Sequence, residues 1–390
     1  MMDKLSKLFE QYTGKIPKTI IPLSGSGSNR KYFRLIGNEN SLIGVEGTSF
    51  EENKAFITLS KHLKEQELNI PEVVAVSDDG MLYLQVDLGN TSLFDSIENG
   101  RKTGEFSEKE KDLLKQTISY LPDIQFKGVE KLDFSVCYPQ KAFDKRTIFW
   151  DLNYFKYYFL KISGVEFQEN LLETDFETLA DVLSQYQTDT FMYRDFQSRN
   201  IMLFNDEPFF IDFQGGRKGP IYYDVASFLW QAKANFPEKL RQDLLNVYFQ
   251  NLKNYLPDIN ENTFKEQLRY FVLFRTLQVL GAYGFRGYIE KKSHFIESIP
   301  FALNNLKELL QNDFSEIPYL QRLLVELSAH SVRRSLRLRR VKNKALLCKC
   351  CKSKTTPNKK TSILTNKKQY KKWDSTIYYQ KCLGTKPNAI

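Results

Sequence analysis

Phe191-Met192-Tyr193-Arg194-Asp195-Phe196-Gln197-Ser198-Arg199-Asn200, with Ile211-Asp212-Phe213-Gln214 shortly after it, forms a polar island inside a long helical stretch of sequence. Phe191 and Met192 lead in as an apolar strand. Residues 201–204 and 208–213 read as two more short strands, joined by the turn Asn205-Asp206-Glu207. A loop-strand-turn-strand unit of this kind turns Asp195, Asn200 and Asp212 toward one cleft. A polar hairpin carried by a helical scaffold is where chemistry tends to sit.

The sequence on either side has two characters. Upstream, apolar runs at 19–23, 31–36, 41–46, 73–76 and 81–86 read as five strands. One helix, from 50 to about 67, follows the third of them. Ser49 and Glu52 fit a capping box at its start. A short amphipathic helix with Leu5, Leu8, Phe9 and Tyr12 on one face precedes the strands. Beyond Gly89 the pattern is helical, with Ser107 and Glu110 as a second capping box. Long amphipathic segments follow at 149–162, 167–186, 238–255, 262–283 and 298–310. The expected architecture is α+β and bilobal, a small antiparallel sheet with one helix and then a mostly helical lobe. The expected divisions are residues 1–89, 90–330 and 331–390.

Composition narrows the function classes. The net charge of +9 comes from the last 60 residues, which hold 18 Lys/Arg and one acidic residue, Asp374. The first 330 residues hold 38 basic and 46 acidic side chains, so nucleic-acid binding would rest on the tail alone. The tail aromatics Tyr370, Trp373, Tyr378 and Tyr379 are interleaved with lysines, but the composition reads as a solvated, disordered segment. Cys137 is the single cysteine before the tail, which fits a reducing compartment. Cys348, Cys350, Cys351 and Cys382 lack zinc-ribbon spacing. No stretch is long and apolar enough to span a membrane, and the N-terminus lacks a signal-peptide core. The expectation is a soluble cytoplasmic protein.

Phosphoryl transfer requires a carboxylate to orient a hydroxyl and take its proton. It also requires an amide oxygen and a second carboxylate to hold Mg²⁺ against nucleotide phosphates. Asp195, Asn200 and Asp212 supply that set. Tyr193 to Asn200 resembles the catalytic loop of protein kinases and aminoglycoside phosphotransferases, with Tyr193 where histidine is usual. Asp212-Phe213-Gln214 resembles their metal-binding Asp-Phe-Gly. With Gly219-Pro220 and Tyr223-Asp224-Val225-Ala226-Ser227 it is similar to bacterial kinases that phosphorylate N-acetylmuramate and N-acetylglucosamine at the anomeric hydroxyl.

The resemblance implies an ATP- and Mg²⁺-dependent enzyme with a sugar-like acceptor. In it Asp195 is the catalytic base, and Asn200 and Asp212 are the metal ligands. Asp224 braces the catalytic loop, or caps the helix that follows it. Arg194 and Arg199 meet substrate or phosphate, or form structural ion pairs. Ser24, Gly25 and Gly27 lie where the family's phosphate loop belongs, or form an ordinary hairpin turn. Gln85 and Asp87 sit at the lobe hinge that meets adenine, or simply end a strand. One departure stands out: the third strand, Ile43-Gly44-Val45-Glu46, lacks the phosphate-gripping lysine of protein kinases. Arg34 or Lys31 on the preceding strand is the expected substitute. Glu51 and Glu52 stand where the lysine's partner is expected, or simply favour the helix dipole. Aminoglycosides and choline-like alcohols are alternative acceptors, and an inactive nucleotide-binding scaffold is the alternative of another class.

Overall fold

The structure, a computed structural model, describes residues 2–23, 30–186 and 188–329. Ser24, Gly25 and Gly27 and the segment 331–390 lie outside the described residues, as do the expectations placed on them. The chain divides into a unit Met1–Leu336 and a unit Arg337–Ile390, and all that follows concerns the first.

The N-terminal lobe is built as its apolar runs require. Helix α1 (Met2–Thr13) is followed by β1 (Thr19–Leu23), β2 (Lys31–Ile36) and β3 (Ser41–Glu46), helix α2 (Phe50–Glu65), β4 (Val73–Val76) and β5 (Leu82–Val86). The strands form one antiparallel sheet in the order β1-β2-β3-β5-β4. Both faces are covered, which explains why β3 is buried continuously from Leu42 to Val45 instead of alternating. Leu5, Leu8 and Phe9 of α1 pack on Phe33, Leu35, Leu42 and Leu84. Phe56, Leu59 and Leu63 of α2 pack on the opposite face with Ile43, Val45 and Tyr83. Ser49 caps α2 by accepting from the Glu52 N–H at 3.3 Å.

The helical lobe is organised around the helix Glu261–Gly284, which is buried all round from Tyr270 to Leu277. Such a helix carries little amphipathic signal and can only lie in a core. It crosses the helix Lys145–Phe155 closely: a Cβ at Gly281 would come within 2.8 Å of the Phe155 backbone nitrogen. The capping box at Ser107 and Glu110 forms with both of its bonds.

Two small sheets carry the polar island. β6 (Thr190–Met192) pairs antiparallel with β9 (Arg217–Gly219), placing Phe191 opposite Lys218. β7 (Ile201–Phe204) pairs with β8 (Glu207–Phe210) across a two-residue turn, Asn205 and Asp206, both at positive φ. The second strand was expected to run to residue 213. It stops at Phe210 because Asp212 adopts φ +70°, which an extended strand cannot contain. This hairpin is tied at one edge to the chain linking the lobes and at the other to the segment between α2 and β4. Leu203 N–H donates to Thr91 O at 2.9 Å, and Phe210 N–H to Asn69 O at 2.8 Å.

Gly281→Ala forces an extra methyl against backbone at the helix crossing. The expected cost is about 1–3 kcal/mol, read as a lowered denaturation midpoint with unchanged secondary structure.

Candidate active site

The helix Ile221–Leu229 begins at Pro220, so Asp224 lies inside it and does not cap it. Its buried carboxylate accepts the Tyr193 N–H at 2.7 Å and the Arg194 N–H at 2.8 Å. Burial pushes this carboxyl up to about 7, while the two N–H bonds pull it down. The bonds hold Arg194 at φ +77°, a strained setting for a residue with a side chain. That kink delivers Asp195 to the open side of the loop, where its side chain is 45% exposed.

Four further bonds fix the loop. Asn200 donates through Nδ2 to the Asp195 carbonyl at 2.9 Å. Gln231 accepts the Ser198 N–H at 3.1 Å and the Ser198 hydroxyl at 2.6 Å. Tyr193 is buried, and its hydroxyl donates to Ile211 O at 2.5 Å, joining the loop to the segment that enters Asp212. Phe213 packs edge-on against the Tyr193 ring at 6.2 Å. The loop and the segment carrying the second carboxylate are therefore joined directly. Asp212 is pushed up chiefly by burial and next by the charge of Asp195, against a hydrogen bond from Gln214 at 2.6 Å.

This donor set fits a hard divalent cation. With Nδ2 committed to Asp195 O, the Asn200 amide oxygen is left to ligate. Asp212 is a half-buried carboxylate that feels the charge of Asp195, a setting that a cation relieves. At the hinge, Gln85 Oε1 is buried without a hydrogen-bond partner among the described residues, which suits a donor on a bound base.

The basic residues around the site differ in their partners. Arg34 is locked to the hinge. Its Nε lies 2.7 Å from Asp87 Oδ2, and it donates to Asp87 Oδ1 at 2.9 Å, Gly89 O at 2.8 Å and Asn90 Oδ1 at 2.5 Å. Burial opposes the Asp87 charge, but Arg34, Ser41 and the Gly89 N–H hold its carboxyl below the usual range. Lys31 pairs with Glu46 at 3.0 Å on the surface. Arg30 is buried, and its Nη2 stands 3.2 Å from Glu52 Oε1. The Glu52 carboxylate thus turns to Arg30, where the capping-box reading had it bonding back to Ser49. Arg194 pairs with Asp151 at 3.6 Å, and the Arg199 guanidinium lies 5.9 Å from the centre of the Phe94 ring.

Sequence reasoning missed Arg275. From the buried helix Glu261–Gly284 its Nη2 approaches Asp195 Oδ1 at 3.4 Å, while Nε donates to Ser227 Oγ at 3.2 Å. A charged residue inside the run Tyr270 to Leu277 was the available signal, since such a charge needs a buried partner. Asp151, half-buried, and Arg217, buried, complete the charges around the loop.

Comparison with known proteins followed the same lines. The family model described as "Phosphotransferase enzyme family" matches residues 144–257. The chain is 28% identical to an N-acetylmuramate/N-acetylglucosamine kinase of Neisseria meningitidis over 76% of its length and 87% of that protein. It is 28% identical to a kinase of the same name from Pseudomonas aeruginosa over 60% of its length and 66% of that protein. Among solved structures, an ADP-bound aminoglycoside phosphotransferase superposes with TM-score 0.53 at 16% identity, covering 84% of this chain and 99% of the other. That likeness confirms the bilobal, protein-kinase-like fold.

Asp224→Asn sets an amide NH₂ against one of the two loop N–H groups. A loss of about 1–3 kcal/mol is expected in chemical denaturation, with a parallel fall in turnover. Asp206→Asn, at the exposed hairpin turn, should leave both near wild type.

Proposed function

We propose that this small-molecule phosphotransferase moves the γ-phosphate of a nucleoside triphosphate onto a hydroxyl of an amino sugar of the N-acetylmuramate or N-acetylglucosamine kind. The observation that carries the reading is the pair of bonds joining the segments that bear Asp195, Asn200 and Asp212: the Tyr193 hydroxyl to Ile211 O, and the Ile211 N–H to Asn200 O.

The chemistry follows from those positions. Asp195 accepts the proton of the acceptor hydroxyl as its oxygen forms a bond to the γ-phosphorus. The bond from that phosphorus to the bridging oxygen breaks, and the nucleoside diphosphate leaves with the electron pair. Arg275 contacts Asp195 through Oδ1, so Oδ2 is the oxygen available to the hydroxyl. Asn200 and Asp212 would hold Mg²⁺, whose charge offsets that of the β- and γ-phosphates. Gln85 offers an acceptor to an adenine amino group at the hinge.

The acceptor side is cationic. A surface pocket is lined by Arg275, Arg199 and Lys233, with Trp230 and Tyr283 in its wall. Apolar ring faces and guanidinium groups suit a sugar, and above all one bearing a carboxylate. They oppose an aminoglycoside, whose several ammonium groups would meet three like charges. The kinase names of the relatives point to the same acceptor class.

Purified protein with ATP, Mg²⁺ and a panel of amino sugars and aminoglycosides should yield a phosphorylated N-acetylmuramate or N-acetylglucosamine, identified by mass and ³¹P NMR. Phosphorylation of aminoglycosides alone would overturn the acceptor assignment. Nucleotide binding without turnover on any acceptor would favour the scaffold. In the same assay Asp195→Asn should lower turnover by about 10²–10⁴ while nucleotide affinity is unchanged.

A further inference from the structure

The pocket on the acceptor side is walled by segments far apart in sequence. Phe94 comes from the short helix Leu93–Ser96 after the hinge, and Arg199 from the turn Ser198–Asn200 of the catalytic loop. Lys233 comes from the turn Ala232–Ala234, and Arg275 from the helix Glu261–Gly284. None of the described residues lining this pocket is acidic.

The three cations differ in what they already hold. Arg275 commits every guanidinium nitrogen within the protein: Nη2 to Asp195, Nε to Ser227 and Nη1 to Gln278. Lys233 faces Glu297 Oε2 at 3.9 Å, a loose pairing with a carboxylate that is itself largely exposed. Arg199 is exposed, and among the described residues it has neither an ion pair nor a hydrogen bond. Its guanidinium rests 5.9 Å from the centre of the Phe94 ring. That ring is anchored, since Arg101 Nε donates to Phe94 O at 2.9 Å and its guanidinium lies 3.4 Å from the ring centre. The surrounding field is largely of one sign. Burial first, then the charges of Lys233, Arg199 and Lys292, hold the His294 imidazole below its usual value, with Glu297 opposing. A surface arginine without an anion is ordinary. This one is four residues from Asp195 and lines a pocket in which Arg275 touches that same carboxylate.

We propose that Arg199 is the specificity-determining residue of the acceptor site and pairs with a carboxylate carried by the sugar, with Lys233 as a second, weaker cation. The proposal rests on the amino-sugar reading above and deepens it. N-acetylmuramate is N-acetylglucosamine with a lactyl ether added, so the two acceptors differ by one carboxylate. A guanidinium meets both oxygens of a carboxylate through parallel N–H bonds. Asp195 serves the reacting hydroxyl of either sugar, and Arg199 tells the two sugars apart.

The test compares N-acetylmuramate, N-acetylglucosamine and the lactyl amide of N-acetylmuramate, which keeps the bulk and removes the charge. kcat/KM for each is measured with saturating ATP and Mg²⁺ on the full-length wild type, Arg199→Gln and Arg199→Lys, with the KM for ATP alongside. In the wild type the ratio of N-acetylmuramate to its amide should be about ten or more, the effect of one charge-assisted pair in an open pocket. Arg199→Gln should bring that ratio near one, and Arg199→Lys should restore part of it. A wild-type ratio near one, a ratio that Arg199→Gln leaves unchanged, or an equal fall on all three acceptors overturns the assignment. A raised ATP KM in place of a changed ratio does the same and moves Arg199 to the nucleotide. Wild-type protein that phosphorylates N-acetylglucosamine but not N-acetylmuramate also overturns it, and leaves the amino-sugar reading standing. Turnover of neither sugar overturns that reading itself, so the two failures are distinct.

Discussion

A buried carboxylate holding two consecutive backbone N–H groups is the constraint on which the site depends. Asp224 takes the Tyr193 and Arg194 amides in a place without water, and burial works against its charge. Those two bonds offset the strain of Arg194 at φ +77° and fix the direction in which Asp195 leaves the loop. Tyr193 then carries the constraint across to Ile211, one residue before Asp212. Two segments with no sequence contact become one rigid unit, and the three oxygen-bearing side chains inherit their positions from it.

Around that unit the protein gathers charges that a core normally excludes. Asp224, Arg217 and Arg275 are buried and Asp151 and Asp212 half-buried around the loop, while Arg30 is buried over the Phe56 ring. Breaking any one pair would leave a charge alone in a low dielectric, so the network is conditionally stable. Its effect is a cleft whose electrostatics are set before substrate arrives, the condition under which electrostatic stabilisation of a transition state is largest. The Phe56–Phe213 stack continues the hydrophobic core from α2 into the catalytic turn, so both lobes help to set that geometry.

What the sequence revealed, and what it hid, follow from the range of the interactions involved. The five strands and α2 were legible because each is a short apolar run closed by turn residues, and pairing only confirmed them. Asp195, Asn200 and Asp212 were legible as residue types at a spacing, and Ser107 with Glu110 as a local cap. Glu52 shows where local rules stop: Ser49 caps the helix as its spacing implies, but the Glu52 carboxylate answers to Arg30, far away in sequence. Arg34 is similar, since its partners lie at the end of β5 and in the hinge. Arg217–Gly219 forms a strand that its composition conceals, because pairing with β6 alone decides it. Arg275 was hidden inside a helix whose apolar run hides any periodicity.

The central claim is that Asn200 and Asp212 hold one metal–nucleotide complex which Asp195 faces without ligating. Mn²⁺ in place of Mg²⁺ makes this measurable by electron paramagnetic resonance titration in the presence of ADP. The account predicts that Asp212→Asn and Asn200→Ala each release protein-bound Mn²⁺, while Asp195→Asn retains it at wild-type affinity. Equal Mn²⁺ retention in all three variants would contradict it.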